Sequence, residues 1–329
     1  MNVGAAIGRP LVQISTAVAD EQCSPLHILS NTMKNKVIYA LGFFDGVHIG
    51  HQALLRECRR LADEHGCQAA AVTFSSHPDT LVQGVTPRLI NTIEDRIRLL
   101  KNGGMDDVVV LPFDKQTQSM PWQGFLNRLA QSYQAAGLVC GHDFRFGSRG
   151  AGTAQLLADY CREANMPCSV VPEQALDGIP VSSTYIRHLL ETGDMEEANR
   201  FLGHPHILSG TVISGRKLGR TLGIPTANLS NPQEVVQLPF GVYACKAAVD
   251  GKTYTAVTNI GNRPTVGGHR ITVEPWLLDF EGDLYGKNLT LSFYAFLRPE
   301  RKFPDLDALK EEISKNALQT RKIFETNTK

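Results

Sequence analysis

The run LGFFDGVHIGH (residues 41–51) decides the fold of the first half, because it leaves a short apolar segment and enters a helical pattern. A helix N-terminus presents free backbone N–H groups and a partial positive charge, so phosphate groups bind there. Gly46 and Gly50 permit a close approach of the backbone, and His48 and His51 can donate to phosphoryl oxygens. The alternative is a chance pair of loop histidines. The strand-to-helix context favours the phosphate site.

Short apolar runs alternate with helical periodicity around this turn, from residue 36 to residue 172. Runs without in/out alternation, such as residues 108–111, are typical of strands that helices cover on both faces. The pattern therefore predicts a doubly wound parallel sheet, which binds ligands at the carboxyl ends of its strands. The predicted strands are 36–41, 69–74, 107–112, 138–141 and 168–172, and the predicted helices are 52–65, 94–102, 122–134 and 153–163.

The pattern changes near residue 205, where strands joined by Gly, Pro and Asn turns begin, with no helices between them. This pattern of strands and turns is typical of an antiparallel barrel or sandwich. An amphipathic helix at 305–325 can pack on it, and the helical segment 185–202 contains breaks that make it a connector. The predicted strands are 207–214, 241–249, 253–259, 271–280 and 289–297.

The length of 329 residues corresponds to about two domains of roughly 150 residues each. We place the first domain at residues 34–190, a connector at 191–204 and the second domain at 205–329. Residues 1–33 are expected to be an N-terminal extension outside the fold, because they show no clear periodicity. Met33, just before the first predicted strand, resembles a natural start.

Composition restricts the class of partner. Apolar residues make up 42% and charged residues 20%, and 33 basic side chains balance 33 acidic ones, which disfavours disorder and attraction to nucleic acid. The sequence contains neither an apolar run of membrane-spanning length nor a signal-peptide pattern. Seven scattered cysteines, never in C-x-x-C spacing, indicate reduced thiols and no zinc site. We expect a cytoplasmic protein with small-molecule partners, no nucleic acid and no membrane; protein partners stay open.

Three more motifs carry a family resemblance. They are TFSSHP (residues 73–78), GHDFRFG (residues 141–147) and SSTYIR (residues 182–187). Together with FDGVHIGH (residues 44–51), they resemble the bacterial bifunctional riboflavin kinase/FMN adenylyltransferases, in that family's order. The resemblance extends over roughly residues 34–325. The motifs are specific in combination, although each alone is short.

The resemblance implies a Rossmann-like nucleotidylyltransferase domain followed by a β-barrel riboflavin kinase domain with a C-terminal helix. It implies FAD biosynthesis, in which ATP phosphorylates riboflavin to FMN and the FMN phosphate attacks the α-phosphorus of a second ATP. ATP, riboflavin and FMN would be substrates, and Mg²⁺ the cofactor. Such a transfer needs alignment and positive charge rather than a covalent intermediate. We expect the two histidines, an arginine, helix-end amides and Mg²⁺ to supply that charge.

The same resemblance assigns the residues of the first site. It makes His48 and His51 catalytic. Hydroxyls at a helix start can bind phosphate oxygens, and Arg187 one turn later can do the same; the alternative is an N-cap followed by a surface arginine. Asp143 is either a nucleotide contact or a turn residue. The nucleotide-binding residues implied are Phe44, Gly46, Gly50, Asp143, Ser183, Thr184 and Arg187, and the flavin-binding residues are Phe144 and Phe146.

The segment GTVISGRKLGRTLGIPTAN (residues 210–228) fits neither the P-loop nor the dinucleotide fingerprint. Its glycines would make a pliable flap, its basic side chains can face phosphates, and alternation puts Thr226 and Asn228 on one side. Oxygen ligands of this kind suit Mg²⁺, and the end of the segment resembles the Pro-Thr-Ala-Asn motif of riboflavin kinases, which holds the metal of Mg-ATP. Hairpin turns with a buried hydrophilic pair are the alternative. The nucleotide-binding residues predicted here are Gly215, Lys217, Gly219 and Arg220.

The predicted base of the second site is Glu274, a carboxylate in a largely apolar strand. The family places there the residue that takes the proton from the ribityl 5′-hydroxyl, and Arg298 would contact the flavin. Two residues depart from the family: Trp276 stands where histidine is common, and Asn316 where an acidic residue is common. One alternative is therefore an FMN adenylyltransferase whose barrel only binds or senses flavin.

Two rival functions compete for the whole chain. An adenylyltransferase for pantetheine phosphate or nicotinamide mononucleotide would share His-x-Gly-His but would have no reason to carry Pro-Thr-Ala-Asn and Glu274. The second rival is a non-enzyme, either a flavin or nucleotide sensor that binds without turnover or a barrel that binds RNA. The neutral charge and the lack of a basic-aromatic strand disfavour RNA binding.

Overall fold

The computed structural model describes residues 36–82, 84, 87–213, 226–230, 232–265 and 268–326. The predicted extension, residues 1–33, lies outside these ranges. The same holds for the predicted flap residues Gly215, Lys217, Gly219 and Arg220, so their roles stay predictions.

The first half contains a parallel sheet of five strands in the order β3-β2-β1-β4-β7. The winding reverses between β1 and β4, which pair in parallel. Every residue of β1 is buried, as expected for a strand covered on both faces. The predicted doubly wound sheet is confirmed. The strands of this half are β1 Val37–Leu41, β2 Gln68–Phe74, β3 Asp107–Leu111, β4 Ala135–Gly141, β5 Arg145–Phe146, β6 Gly152–Thr153, β7 Cys168–Val171, β8 Ala175–Leu176 and β9 Ile179–Pro180.

Helices cover both faces of this sheet, and side-chain caps determine where several begin. The Thr92 hydroxyl accepts from the Asp95 N–H at the start of α3, and Thr153 caps α6 in the same way. The helices are α1 Ile49–His65, α2 Pro78–Val82, α3 Ile93–Asn102, α4 Lys115–Ser119, α5 Trp122–Ser132, α6 Ala154–Glu163, α7 Ser183–Thr192 and α8 Met195–Leu202.

The second half is a closed antiparallel barrel in the order β10-β11-β14-β13-β12-β15, so the barrel prediction is confirmed and the sandwich alternative is wrong. The short strand β11 was not predicted, because two residues carry no detectable period. The C-terminal helix α9 packs against β12 and β13. The elements are β10 His206–Ile213, β11 Asn228–Leu229, β12 Gly241–Val249, β13 Lys252–Thr265, β14 Gly268–Leu277, β15 Asn288–Pro299 and α9 Leu306–Thr326.

The predicted connector is two helices, α7 and α8, separated at Gly193 and Asp194. Gly193 has φ 83°, a left-handed conformation that glycine adopts without strain, and the Asp194 side chain caps α8. Their apolar faces, including Leu190 and Phe201, belong to the same core as the barrel interior. The two helices thus pack with the barrel, while the domain limits stay predictions.

The first half contacts the barrel through polar side chains on α3. Asp95 Oδ2 accepts from the Ser209 N–H at 3.0 Å, and Arg98 Nη1 donates to the Ser209 hydroxyl at 2.8 Å. In α1, the Gln52 side chain donates to the Leu202 carbonyl at 2.7 Å. The Nε2 atom of His204 lies 2.9 Å from the Gly46 carbonyl oxygen. These contacts hold the turn between β1 and α1 against the segment that leads into the barrel.

Candidate active sites

A cavity of about 460 Å³ opens beyond the carboxyl ends of β1, β2, β4 and β7, where the winding of the sheet reverses. Ligands of doubly wound sheets bind at this place. Loops that lie far apart in sequence form its wall, so only the folded chain brings the motifs together. The predicted residues that line it are His48, Gly50, His51, Asp143, Phe144 and Ser183.

The two motif histidines form a stacked pair at the start of α1. The Nδ1 atom of His48 accepts the backbone N–H of His51 at 3.3 Å, which caps the helix. Because Nδ1 is an acceptor, the neutral His48 ring carries its proton on Nε2, and that N–H can donate to a ligand. The ring centroids of His48 and His51 lie 3.6 Å apart, since a spacing of three residues places both on one helix face.

Burial keeps this pair uncharged at neutral pH. It lowers the pKa of His48 to about 4, and burial together with the His48 ring lowers the pKa of His51 well below 6.5. In the site without ATP, the expectation that the histidines supply positive charge is therefore not supported. The expectation that they donate N–H groups to phosphoryl oxygens stays a prediction. Positive charge comes from Arg187 and from Arg96, a fully buried guanidinium 4.0 Å from the Phe43 ring centroid.

Four predicted nucleotide-binding residues are absent from the described wall of this cavity: Phe44, Gly46, Thr184 and Arg187. The Phe44 side chain is fully buried, and its ring meets the His51 ring edge-on with centroids 5.2 Å apart. Gly46 has φ 80°, and a Cβ atom there would lie 2.8 Å from Ile90 Cδ1. Packing and backbone conformation therefore require this glycine, whereas the sequence interpretation invoked a close approach to phosphate.

The SSTYIR segment begins α7. Ser182 is its N-cap, and its hydroxyl accepts the Tyr185 N–H at 3.2 Å. The hydroxyls of Ser183 and Thr184 are therefore not needed to cap the helix. Ser183 lines the cavity and donates to the Asp45 carbonyl at 2.9 Å. Arg187, one turn later, is not part of the described cavity wall; its Nη1 donates to Asp45 Oδ2 at 2.7 Å.

A second cavity of about 660 Å³ adjoins the first and has an aromatic lining. The rings of Phe144 and Phe146 stack within it, with centroids 5.4 Å apart. Four residues line both cavities, so the two spaces meet there: Phe74, Pro78, Phe144 and Arg145. The phenylalanines that line it are Phe74, Phe113, Phe125, Phe144 and Phe146.

The barrel contains a third cavity, of about 380 Å³, between β13, β14, β15 and α9. Glu274 lies in its wall, opposite Asn259 in the β13–β14 register. Thr226 also lines it and lines a smaller cavity of about 70 Å³ beside it. Three predicted site residues line the larger cavity: Thr226, Glu274 and Arg298. The two residues that depart from the family pattern, Trp276 and Asn316, also line it.

Acidic and amide side chains of α9 hold Arg298 in that wall. Its Nε donates to Asn316 Oδ1 at 3.1 Å and lies 3.2 Å from Glu312 Oε1. Glu312 also pairs with Arg301 at 2.6 Å. Asn316, the residue that departs from the family's acidic side chain, thus still accepts from Arg298, and a carboxylate one helical turn away supplies the negative charge.

Thr226 and Asn228 flank a buried residue at the start of β11. Ala227 between them is buried, and its N–H donates to the Pro275 carbonyl at 2.9 Å. Side chains alternate along an extended chain, so Thr226 and Asn228 leave the backbone on the face opposite Ala227. Asn228 does not contribute to the described wall of either barrel cavity.

Comparison with known proteins gives the family. A family model described as FAD synthetase matches residues 30–185, and one described as riboflavin kinase matches residues 202–324. The bifunctional riboflavin kinase/FMN adenylyltransferase of Listeria monocytogenes is 34% identical over 293 residues, which cover 88% of this chain and 93% of that protein. The chain belongs to the bifunctional riboflavin kinase/FMN adenylyltransferase family. The Bacillus subtilis member is 35% identical over 303 residues, covering 91% of this chain and 96% of that protein.

As a riboflavin kinase and FMN adenylyltransferase, the protein makes FAD in two steps. ATP phosphorylates riboflavin to FMN, and a second ATP adenylylates FMN with release of pyrophosphate. Both domains have their own family match, which favours two activities over a barrel that only binds or senses flavin.

A solved structure described as a macrolide-efflux protein from Streptococcus pneumoniae has a similar fold, with a TM-score of 0.78 and 29% identity. The similarity covers 88% of this chain and 94% of that one, so both domains are included. In the part of this chain that the structure describes, no helix has the length and apolar character needed to cross a bilayer.

Sequence reasoning missed Asp45, Arg96 and Glu312. Arg96 had a usable signal, because Ile93, Arg96, Ile97 and Leu100 follow the helical i, i+3, i+4, i+7 spacing, so the arginine occupies a position on the apolar face of α3. Asp45 and Glu312 had none. Their partners lie on other elements, and no local pattern predicts those contacts.

Acid should destabilise this enzyme through its buried histidines. Burial lowers the pKa of His206, in β10, to about 3, whereas an unfolded chain binds the proton near the ordinary value of 6.5. Stability is therefore complete above about pH 6.5 and decreases as the pH falls toward 3, by about 2 kcal/mol per such histidine at pH 5. We expect the unfolding free energy of His206→Gln, from denaturant titration, to fall less between pH 7 and pH 5 than that of wild type.

The control for this prediction is His65→Gln, at the exposed end of α1, which should keep the full acid sensitivity. An equal loss of stability in wild type and His206→Gln would contradict the assignment to His206.

Proposed function

We propose that FMN is adenylylated where the two cavities of the first domain meet. The observation that carries this proposal is the shared wall: the aromatic cavity adjoins the cavity of His48 and His51, with Phe144 and Arg145 among the residues common to both. An isoalloxazine ring packed against the stacked Phe144 and Phe146 rings would direct the FMN phosphate toward Arg145, a cation that the sequence interpretation did not single out. ATP would lie over the start of α1.

In this proposal His48 and His51 donate to oxygens of the α-phosphate, together with the free amides at the start of α1. Ser183, Thr184 and Arg187 bind the phosphates that leave as pyrophosphate, and Asp143 contacts the nucleotide at the rim. An FMN phosphate oxygen forms the new bond to the α-phosphorus while the α–β bridging bond breaks. Preoriented donors stabilise the charge that develops, so the protein accepts no proton and forms no covalent bond.

We propose that riboflavin is phosphorylated in the barrel, with the flavin in the 380 Å³ cavity and ATP on the other side of Thr226. Glu274 would take the proton of the ribityl 5′-hydroxyl as the hydroxyl oxygen bonds to the γ-phosphorus of ATP, while the β–γ bridging bond breaks and ADP leaves. Arg298 would contact the flavin, in an orientation that Asn316 and Glu312 maintain. The nucleotide-binding roles of Gly215, Lys217, Gly219 and Arg220 complete the proposal.

The residues at the start of β11 fit a Mg²⁺ ion that arrives with ATP. Thr226 and Asn228 offer a hydroxyl and an amide oxygen on one face of the chain, and Mg²⁺ takes few protein ligands besides phosphate oxygens and water. Within the described ranges, no three His, Cys, Asp or Glu side chains stand close enough to form a metal site by themselves. The ion would neutralise phosphate charge during transfer.

Asn228→Ala should weaken the kinase in a way that metal can restore. The substitution removes one proposed ligand, so we expect the Mg²⁺ concentration for half-maximal riboflavin phosphorylation to rise about 10-fold. A magnesium titration of the initial rate measures this. Glu274→Gln is the control, because no metal concentration replaces a missing base. An Asn228→Ala enzyme with low activity and an unchanged magnesium requirement would contradict the ligand role.

We further propose that small molecules are the only obligatory partners and that the enzyme works in the cytoplasm, without nucleic acid or membrane. Two properties support this: the net charge is zero, and the described cysteines are unpaired. The domain limits proposed from sequence, 34–190 and 205–329, are compatible with the separate family matches.

Incubation of the wild-type chain with riboflavin, ATP and Mg²⁺, followed by chromatography, tests the two-step proposal. We expect FMN to appear first and FAD to follow. A second incubation that starts from FMN should give FAD without riboflavin. The same incubations on variants of the two sites test the residue assignments separately.

A further inference from the structure

Asp45 is a buried carboxylate beneath the turn that carries the motif histidines. Its side chain is 2% exposed, yet it receives hydrogen bonds from two distant elements. Oδ1 accepts the Ile90 N–H at 2.8 Å, and Oδ2 accepts Arg187 Nη1 at 2.7 Å. Burying a carboxylate costs free energy unless it is paired and hydrogen-bonded, so these contacts are needed to keep Asp45 in this position.

Arg187 is held on two sides by these contacts. Nη1 donates to Asp45 and Nη2 donates to the Thr184 hydroxyl at 3.1 Å, so two of the five N–H donors are occupied within the described contacts. The side chain is 18% exposed and lies one helical turn from Ser183, which lines the ATP cavity. An arginine fixed at two atoms loses little freedom when its other donors bind phosphate.

The Asp45 loop is attached to the same helix at a second point. The Ser183 hydroxyl donates to the Asp45 carbonyl at 2.9 Å, so backbone and side chain of one residue both bind the start of α7. Burial raises the pKa of Asp45, and the guanidinium groups of Arg96 and Arg187 oppose that rise. Asp45 thus links the turn of the histidines to the helix of the arginine, although 142 positions of sequence separate the two partners.

We propose that Asp45 is a positioning residue for adenylyl transfer, which holds the Arg187 guanidinium in the orientation that binds the phosphates of ATP. Asp45 itself touches no substrate and acts through Arg187. The inference rests on the proposed phosphate-binding role of Arg187.

A double-mutant cycle in the full chain tests this, with Asp45→Asn, Arg187→Gln and the double variant. The asparagine keeps the shape and an oxygen for the Ile90 N–H, but its neutral amide no longer pairs with Arg187. We expect Asp45→Asn to lower kcat/KM for FMN adenylylation about 10- to 100-fold, and the double variant to be no worse than Arg187→Gln alone. Riboflavin phosphorylation by the same samples should stay at the wild-type rate.

Asp159→Asn is the matched control, because it breaks an exposed pair with Arg162 on α6 in the same domain and should leave both activities intact. The proposal is overturned if Asp45→Asn lowers kcat/KM by the same factor in the wild-type chain and in the Arg187→Gln chain, because Asp45 would then have a structural role. Increased activity would overturn it too, since the pair would then restrain Arg187 from ATP.

Two further outcomes of the experiment have their own interpretation. If Arg187→Gln itself keeps wild-type adenylylation, the phosphate-binding role of Arg187 is wrong, and this inference is wrong with it. If Asp45→Asn does not fold, Arg187→Lys decides, because lysine keeps the charge but not the two-point hold. A loss of 10-fold or more in kcat/KM then supports positioning, and a wild-type rate contradicts it.

Discussion

Replacing both His48 and His51 with alanine should abolish FAD formation from FMN while riboflavin phosphorylation continues. The two rings stack at the start of α1 with centroids 3.6 Å apart, and in the proposed site both donate N–H groups to ATP. Removal of one preoriented donor typically costs 10²- to 10³-fold in rate, so we expect a loss of at least about 10³-fold for the pair. Chromatographic assay of FAD from FMN and of FMN from riboflavin measures the two activities in one sample.

His65→Ala, at the other end of the same helix, is the control and should leave FAD synthesis unchanged. Equal loss of both activities would contradict separate sites. Full FAD synthesis by the double alanine variant would show that the pair only caps α1.

Glu274→Gln should lower riboflavin phosphorylation by about 10²- to 10⁴-fold, the range that general-base assistance supplies. The amide keeps the shape of the side chain in the barrel cavity and removes the proton acceptor. Conversion of supplied FMN to FAD should remain intact, because the parallel-sheet cavity contains no residue of β14 among those described. Initial rates with riboflavin and with FMN, each at saturating Mg²⁺ and ATP, give the two values.

Glu281→Gln is a suitable control, since Glu281 is exposed and lies just beyond β14. Normal phosphorylation by Glu274→Gln would exclude a proton-acceptor role. Wild-type protein that adenylylates FMN but never phosphorylates riboflavin would be a stronger contradiction. The departures at Trp276 and Asn316 would then mark a barrel that binds flavin without catalysis.

Much of the fold was predictable because its signals are local. Uninterrupted apolar runs identified the five parallel strands, and turn residues identified the barrel half. Among the described residues of that half, the two-residue strand β11 is the one strand that was missed. The helical segment 185–202 was predicted to contain breaks, and the structure has one at Gly193, where a left-handed residue followed by a capping aspartate ends α7 and begins α8.

The candidate sites were predictable to a smaller extent. The motifs identified residues that the structure places in cavities, such as His48, Ser183 and Glu274. The burial that favours the neutral form of the histidines was not predictable, because burial depends on what packs over a ring rather than on its neighbours in sequence. The reason for Gly46 was also different, since Ile90, from a distant loop, occupies the space that a side chain would need.

The sequence by itself determined the succession of the longer strands and helices along the chain, the division into a parallel sheet and a barrel, and the chemical groups at the start of α1, because these follow from periodicity and short motifs. Only the tertiary structure decided that Asp45 pairs with Arg187, that Glu312 supplies a charge beside Asn316, and that the aromatic and histidine cavities adjoin. The physical reason is the same in each case. A buried charge or cavity is defined by partners from separate elements, and their approach depends on how the whole chain packs.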